Sequence, residues 1–424
     1  MIVMKRSKSR VRNFVHNGII VIIATTLSLF ICDWVLGLFN FPAKIPLRVS
    51  HPENIEVVRE NIEFQYVFKT NDHGLRYRNI PLEKTGTDYR IFVSGDSFTE
   101  GFGVEAENRF TNLLEDEFSS SSQNVLFING GLGGTGPLEY GRLFLKIGLE
   151  YHPDALLICL FPNDLADTPA RLRQTPFNPP HQFRSGIHKI AYTFWPHIYT
   201  LLKKFHHQRI YRGKTRTSDF ISTISREAQK RNIPQKRITA WQASIPQELV
   251  AVVNQGRYMG SYLSAGLLRP KSWVDSIDIS SDLAQKKWQN MTLLLSKVLA
   301  KAEQNGVETA IVLIPSPFMY DLGQHNEKNP WIVSGCEIDK KWLAEDTMIQ
   351  QRLRSWTAEK DVPFLDLTPI FRKAIQSSKN LNYELDPHWN NLGHQAAARA
   401  IASWLLDQQV FSFGLLSKVP DISP

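Results

Sequence analysis

Apolar runs that alternate with stretches of helical spacing constrain this 424-residue chain more than any other feature. Tyr89 to Ser94, Val125 to Asn129, Ala155 to Phe161 and Thr309 to Ile314 read as strands, with a shorter fifth from Pro363 to Leu367. Between them, Pro137 to Glu150 begins with proline at a first helical position. Ala284, Trp288, Met291, Leu295, Val298 and Ala302 share one helix face, and Leu392, Ala396, Ala400, Ile401 and Trp404 mark a final helix. Strands apolar along nearly their whole length suit a parallel sheet covered on both faces. The expected fold is α/β: a doubly wound, flavodoxin-like parallel sheet of five strands built from residues 89–165 and 281–410. Residues 166–280 interrupt it and are too many for a plain connection, so they should form helices of their own. Residues 40–88, with Pro42, Pro46, Pro52, Gly74 and Pro81 among polar neighbours, read as a stalk and approach segment.

At 42% apolar and 21% charged residues, the chain has the composition of a folded protein, which excludes wholesale disorder. The net charge of +8 is concentrated. Lys5, Arg6, Lys8, Arg10 and Arg12 precede the first acid, and no Asp or Glu lies between Asp167 and Asp219. That second stretch holds Arg171, Arg173, Arg184, Lys189, Lys203, Lys204, Arg209, Arg212, Lys214 and Arg216. Together these cations outnumber the net charge, so the rest of the chain is net acidic. Cys32, Cys159 and Cys336 form no CxxC pair and cannot make a disulfide framework.

The basic head, residues 1–12, leads into an apolar stretch, residues 13–39. A span across the hydrocarbon core needs roughly 20 apolar residues. Positive charge on the leading flank keeps the head in the cytoplasm and exports the remainder of the chain. No small-x-small cleavage site succeeds the run, and Ile31 before Cys32 does not suit a lipoprotein site, so an uncleaved single-pass anchor is expected. The predicted location is the inner or cytoplasmic membrane, with the folded domain on its periplasmic or extracellular side. Export also makes nucleic acid an unsuitable partner.

In an open parallel sheet, ligands bind beyond the carboxyl ends of the strands. The segments there are Gly95-Asp96-Ser97-Phe98, Asn129 to Gly136 (Asn-Gly-Gly-Leu-Gly-Gly-Thr-Gly), Phe161-Pro162-Asn163-Asp164 and, after the fifth strand, Asp386-Pro387-His388-Trp389-Asn390-Asn391-Leu392-Gly393-His394. A serine hydroxyl becomes a useful nucleophile when a base takes its proton, and imidazole, with a pKa of about 6.5, suits that task at neutral pH. Ser97 is the candidate nucleophile and His388 the candidate base. The imidazole needs a carboxylate to hold its tautomer, and Asp386 is the nearest in sequence.

These four segments, in this order, resemble the four blocks of the SGNH, or GDSL-type, hydrolases. The resemblance covers residues 89–165 and 281–409 and leaves out the insertion. Asn71-Asp72-His73-Gly74-Leu75-Arg76 is similar to the approach segment of membrane-anchored bacterial members. It implies an oxyanion hole made by the backbone N–H groups of Ser97 and Gly134 and the side-chain amide of Asn163. Two departures stand out. The family's third block commonly opens with glycine, where this chain has Phe161, and its acid more often lies three residues before the histidine, where this chain has Leu385. Asp386 is preferred over Glu384, and His388 over His394, which falls inside the final helix. Asp96 is expected to shape the turn.

Plainer roles compete with each assignment: a capping serine at 97, an Asx turn at Asn163 and a structural histidine at 388. The glycines of the second block lack the Lys-Ser/Thr of a phosphate loop, and His206-His207 lacks cysteine or carboxylate company, so no cofactor and no metal are expected. The expected function is a serine esterase acting on acyl esters, O-acetyl among them, of a cell-surface glycan or lipid. The alternatives are an O-acyltransferase for an exported polysaccharide that uses the same residues, and a catalytically silent glycan-binding or assembly component. The basic insertion reads either as a helical cap or, through Lys203, Lys204 and Arg209, as a contact for an anionic surface.

Overall fold

The five apolar runs form one parallel sheet. A computed structural model describes residues 2–39, 49–84, 86, 88–119, 124–172, 176, 186–212, 219–321, 335–377 and 380–412, without the side chains of 2–14, 204 and 206–212. The strands are β1 (Glu56–Glu60), β2 (Gln65–Lys69), β3 (Tyr89–Gly95), β4 (Val125–Gly131), β5 (Ala155–Leu160), β6 (Glu308–Leu313) and β7 (Phe364–Asp366). β1 and β2 make a separate antiparallel hairpin, while the main sheet runs β4-β3-β5-β6-β7, every pair parallel. This is the flavodoxin-like order. The chain leaves β3 for β4 on one side and returns to β5 on the other, which opens a crevice at the carboxyl ends of β3 and β5.

Alternate residues of each strand enter separate cores. Phe92, Ile128, Leu156, Ile158, Ile311 and Leu313 face one way, toward the helices Pro137–Lys146, Asp282–Gln304 and Met348–Glu359. Ile91, Val93, Phe127, Leu157, Cys159 and Val312 face the other, toward Phe110–Glu117, Thr368–Gln376 and Asn391–Asp407. Each large apolar side chain removed from water contributes about 1.5–3 kcal/mol, so burial on both faces explains why these strands carry no polar alternation.

The chain divides into two compact units. The larger comprises residues 49–178 and 214–424, the smaller residues 1–48 and 179–213. The polar segment from 49 to 88 therefore belongs to the larger unit, where Tyr66 and Phe68 of the hairpin are buried while Gln65, Val67 and Lys69 face out. The insertion is helical and is shared. Gly186–Phe194 and Pro196–Arg212 fall in the smaller unit, and five helices from Phe220 to Asp278 fall in the larger.

The smaller unit also holds the helix Ile2–Leu38. Its stretch Val15–Leu38, 24 residues of mean hydropathy 2.4, is long and apolar enough to cross a membrane.

Candidate active site

Ser97 opens the helix Ser97–Glu100 immediately beyond β3, and Asp96 shapes that junction by accepting the Phe98 N–H on Oδ1 at 2.9 Å. The hydroxyl of Ser97 lies 2.7 Å from His388 Nε2. On the other side of the ring, Nδ1 lies 2.5 Å from Asp386 Oδ1, which also accepts the His388 backbone N–H at 3.0 Å. A spacing of two residues brings Asp386 and His388 together because one carboxylate oxygen reaches both the His388 backbone N–H and its ring. Burial pushes the imidazole pKa down, but the charge and hydrogen bond of Asp386, helped by Asp96 and Glu100, outweigh it and hold His388 above its ordinary value.

His394 is placed differently. It accepts the Phe110 N–H on Nδ1 at 3.3 Å, stacks on the Phe110 ring, and is driven down to about 3 by burial and by Arg76 and Arg109. It is a neutral packing residue.

The loop after β4 runs beside the serine. A side chain at Gly131 would strike the Glu100 backbone N at 2.0 Å, and one at Gly133 would approach Ser97 Cβ to 3.5 Å. Gly134 has φ +71°, a left-handed conformation that glycine adopts without a Cβ penalty, and the space beside it is open. Farther along, Gly136 packs toward Asp164 and Asp167 of the helix Asn163–Asp167, so the loop bridges the serine turn and the asparagine helix. Asp164 makes the local turn by accepting the Phe161 N–H at 2.9 Å and the Tyr140 hydroxyl at 2.6 Å. Asn163 is therefore not needed for that turn, and its buried Oδ1 has no hydrogen-bond partner among the described residues.

Phe161, where the family resemblance expects glycine, fills a wall. Its ring lies 4.4 Å from Phe98, and Phe98 in turn lies 4.9 Å from His388. Trp273 from the insertion closes the other side at 6.0 Å.

Four contributors were not singled out as site residues by the sequence. Glu63, in the turn of the β1–β2 hairpin, accepts the backbone N–H groups of Leu385 at 2.9 Å and Asp386 at 2.7 Å. Glu100 Oε1 accepts the Gly133 N–H at 3.1 Å and lies 2.7 Å from His51 Nε2, with Arg59 3.4 Å from Oε2. Arg76 donates to the carbonyls of Glu100, Gly101 and Val104, clamping the end of the serine helix. Tyr262, from the insertion, places its hydroxyl 3.4 Å from His388 Nδ1. Arg76 and Glu100 lay in stretches the resemblance covers, though neither was named for the site. Glu63 and Tyr262 had no sequence signal, since each acts through a contact with a distant part of the chain.

Beyond Asn163, a cleft of about 350 Å³ has a mixed lining, with Asp167, Arg269, Lys271, Asp275 and Lys287 among apolar residues such as Leu165, Pro270 and Leu283. The side chains of His206, His207, Lys204 and Arg209 lie outside the described residues.

No protein-family model matches the chain. No curated protein matches it either. Among solved structures it is similar to a lipase/acylhydrolase from Enterococcus faecalis, at 12% identity over 76% of this chain and 96% of that one, with a TM-score of 0.33. It is also similar to a catalytic mutant of an acetylxylan esterase from Geobacillus stearothermophilus, at 10% identity over 76% and 97%, TM-score 0.35. A third is the psychrotrophic esterase EstA of a Pseudoalteromonas species, at 12% over 75% and 99%, TM-score 0.32.

Proposed function

We propose that this protein is a membrane-anchored serine esterase that removes acyl groups, O-acetyl foremost, from a glycan outside the cytoplasm. The observation that carries the reading is the unbroken chain of contacts from Ser97 Oγ to His388 Nε2 at 2.7 Å and from His388 Nδ1 to Asp386 at 2.5 Å.

Ser97 Oγ attacks the ester carbonyl as its proton passes to His388 Nε2. The imidazolium that forms is held by Asp386, whose carboxylate, 2.5 Å from Nδ1, favours the tautomer that carries its proton there. The negative charge on the carbonyl oxygen is met by the N–H groups of Ser97 and Gly134 and the amide of Asn163, donors set in place before the reaction. Collapse of this intermediate breaks the C–O bond, and the departing alcohol takes the proton from His388. Water then gives a proton to His388 as it attacks the acyl-serine carbonyl, and collapse of this second intermediate breaks the bond to Ser97 Oγ, which takes the proton back from His388 as the free acid leaves. The cleft next to the Asn163 helix combines charged and hydroxyl groups, which can bind sugar hydroxyls, with Leu165, Pro270, Leu283 and Ala284, which can pack against the face of a sugar ring.

The test is hydrolysis of p-nitrophenyl acetate by the purified protein, with covalent labelling by a serine-directed phosphonate, in wild type and Ser97→Ala. Turnover and labelling that both vanish in the variant support the reading. Equal rates and no labelling would overturn it in favour of a silent binding component. Release of acetate from an acetylated polysaccharide, compared with its transfer to an added sugar, separates hydrolysis from acyl transfer.

A further inference from the structure

The helix pair in the smaller unit carries an apolar surface of its own. On Gly186–Phe194, Ile187, Ile190 and Phe194 are 72%, 57% and 53% exposed. At 100° per residue these three fall within about 60° of arc. Lys189 and Thr193 occupy the neighbouring exposed arc, and Tyr192 and Trp195 turn inward. The next helix, Pro196–Arg212, repeats the pattern with Leu202 and Phe205 exposed. Isolated surface apolar residues are common, but five large ones on adjacent helices are not.

This pair is docked on the helix that is long and apolar enough to span a membrane. Phe30 packs against Phe194 at 6.3 Å and Trp195 at 5.5 Å. Asp33, an acid inside the apolar stretch, is buried and accepts the Ile198 N–H at 2.8 Å. Its carboxylate thus caps the first turn of Pro196–Arg212, where the helix dipole favours negative charge. Gly37 lies against His197, which a side chain there would approach to 3.2 Å. Asp33 is five residues from the end of the apolar stretch at Leu38, or about 7.5 Å along the axis. The contact therefore falls at the level of one membrane interface.

Resting on the membrane-anchored reading, we propose that residues 186–205 are a membrane-interface element. They lie in the plane of the bilayer, with Ile187, Ile190, Phe194, Leu202 and Phe205 in the acyl-chain region and the surrounding cations at anionic headgroups. The occupant is lipid because the surface continues that of Val15–Leu38, which is almost wholly exposed and apolar, and because no acid occurs between Asp167 and Asp219. Amphipathic helices with apolar and cationic faces bind interfaces in this way.

The full chain, with Cys32→Ser, is reconstituted into phosphatidylcholine vesicles containing phosphatidylglycerol, with a polarity-sensitive fluorophore on Ile190→Cys, Phe194→Cys, Thr193→Cys or Ile23→Cys. Labels at 190, 194 and 23 should be quenched several-fold more by lipid-borne nitroxide than the label at 193, which aqueous iodide should quench instead. Iodide quenching of 190 and 194 equal to that of 193, with 23 still lipid-quenched, overturns the interface element alone. Shielding of 190 and 194 from both quenchers means that protein covers them and also overturns it. Loss of lipid quenching at 23 overturns the anchor and the element together, and hydrolysis of p-nitrophenyl acetate by the same samples reports separately on the esterase reading.

Discussion

The Glu100 carboxylate accepts the backbone N–H of Gly133 at 3.1 Å, one residue before the glycine whose own N–H is assigned to the oxyanion hole. Burial alone would raise this carboxyl, but His51, Arg59 and Arg76 outweigh it and hold it at about 2. A depressed carboxyl contributes stability that is present above its unfolded value of 4.5 and is lost as pH falls toward 2. That gap corresponds to about 3 kcal/mol. Glu100→Gln should therefore unfold at lower temperature at pH 7, with the difference from wild type shrinking by pH 3. Its kcat should fall by about 10- to 100-fold with little change in KM, since an oxyanion donor is displaced while the pocket remains. A constant stability gap across that pH range would remove the ion-pair account.

Asp386 can be tested through the pH profile. In its proposed role as base, His388 must be neutral, and its pKa is held above the ordinary value, so kcat/KM of the wild type should fall as pH drops through that raised value. In Asp386→Asn the carboxylate is gone and burial, which pushes the imidazole down, is left. The acid limb should move to lower pH while kcat falls by about 10⁴-fold. An unmoved limb would mean that another group partners the histidine.

Sheet, strand ends and the serine–histidine pair were legible in the sequence because each depends on a local pattern: strands apolar on both faces, and a reactive side chain just past the strand. His388 was separable from His394 for the same reason, since only His388 precedes the final helix. The groups that support the pair were not legible. Glu63 acts on Leu385 and Asp386 across more than 300 residues of chain, and nothing in its neighbourhood of Asn61, Ile62 and Phe64 marks it. The segment from 49 to 88 looked like a stalk because its buried apolar residues, Val49, Ile55, Tyr66, Phe68, Leu75 and Tyr77, are scattered among polar ones and form no run, and because the buried Arg76 that also braces it carries charge.

Tyr262 links the insertion to the chemistry. Its hydroxyl lies 3.4 Å from His388 Nδ1, the nitrogen that also serves Asp386, and burial keeps the phenol protonated by raising its pKa well above the ordinary value. Tyr262→Phe should change kcat by less than about tenfold, because Asp386 still holds the ring. Measured in a cycle with Asp386→Asn, the two substitutions should be non-additive by at least about 0.5 kcal/mol. Strict additivity would assign Tyr262 to packing only.

Glu63 should separate stability from catalysis. Burial raises its carboxyl above 4.5 in spite of the backbone N–H groups it accepts, and the nearby Asp386 charge adds to the shift. The charged form is thus a cost to the fold above that raised value, and the cost is relieved as pH falls. Glu63→Gln removes the charge but keeps an oxygen for only one of the two N–H donors, so at pH 7 relief of the buried charge offsets the lost acceptor and it should unfold at a temperature close to that of wild type. Glu63→Ala leaves both donors of a partly buried loop without this partner, at about 1–3 kcal/mol each, and should unfold earlier. Catalysis should take a different order, because the loop it holds carries Asp386 and His388, the proposed acid and base. Phosphonate labelling of Ser97 should slow modestly in Glu63→Gln and by about 10- to 100-fold in Glu63→Ala, since a small displacement of a catalytic group costs on that scale. Equal labelling rates in all three proteins would show that the hairpin braces the fold without positioning His388.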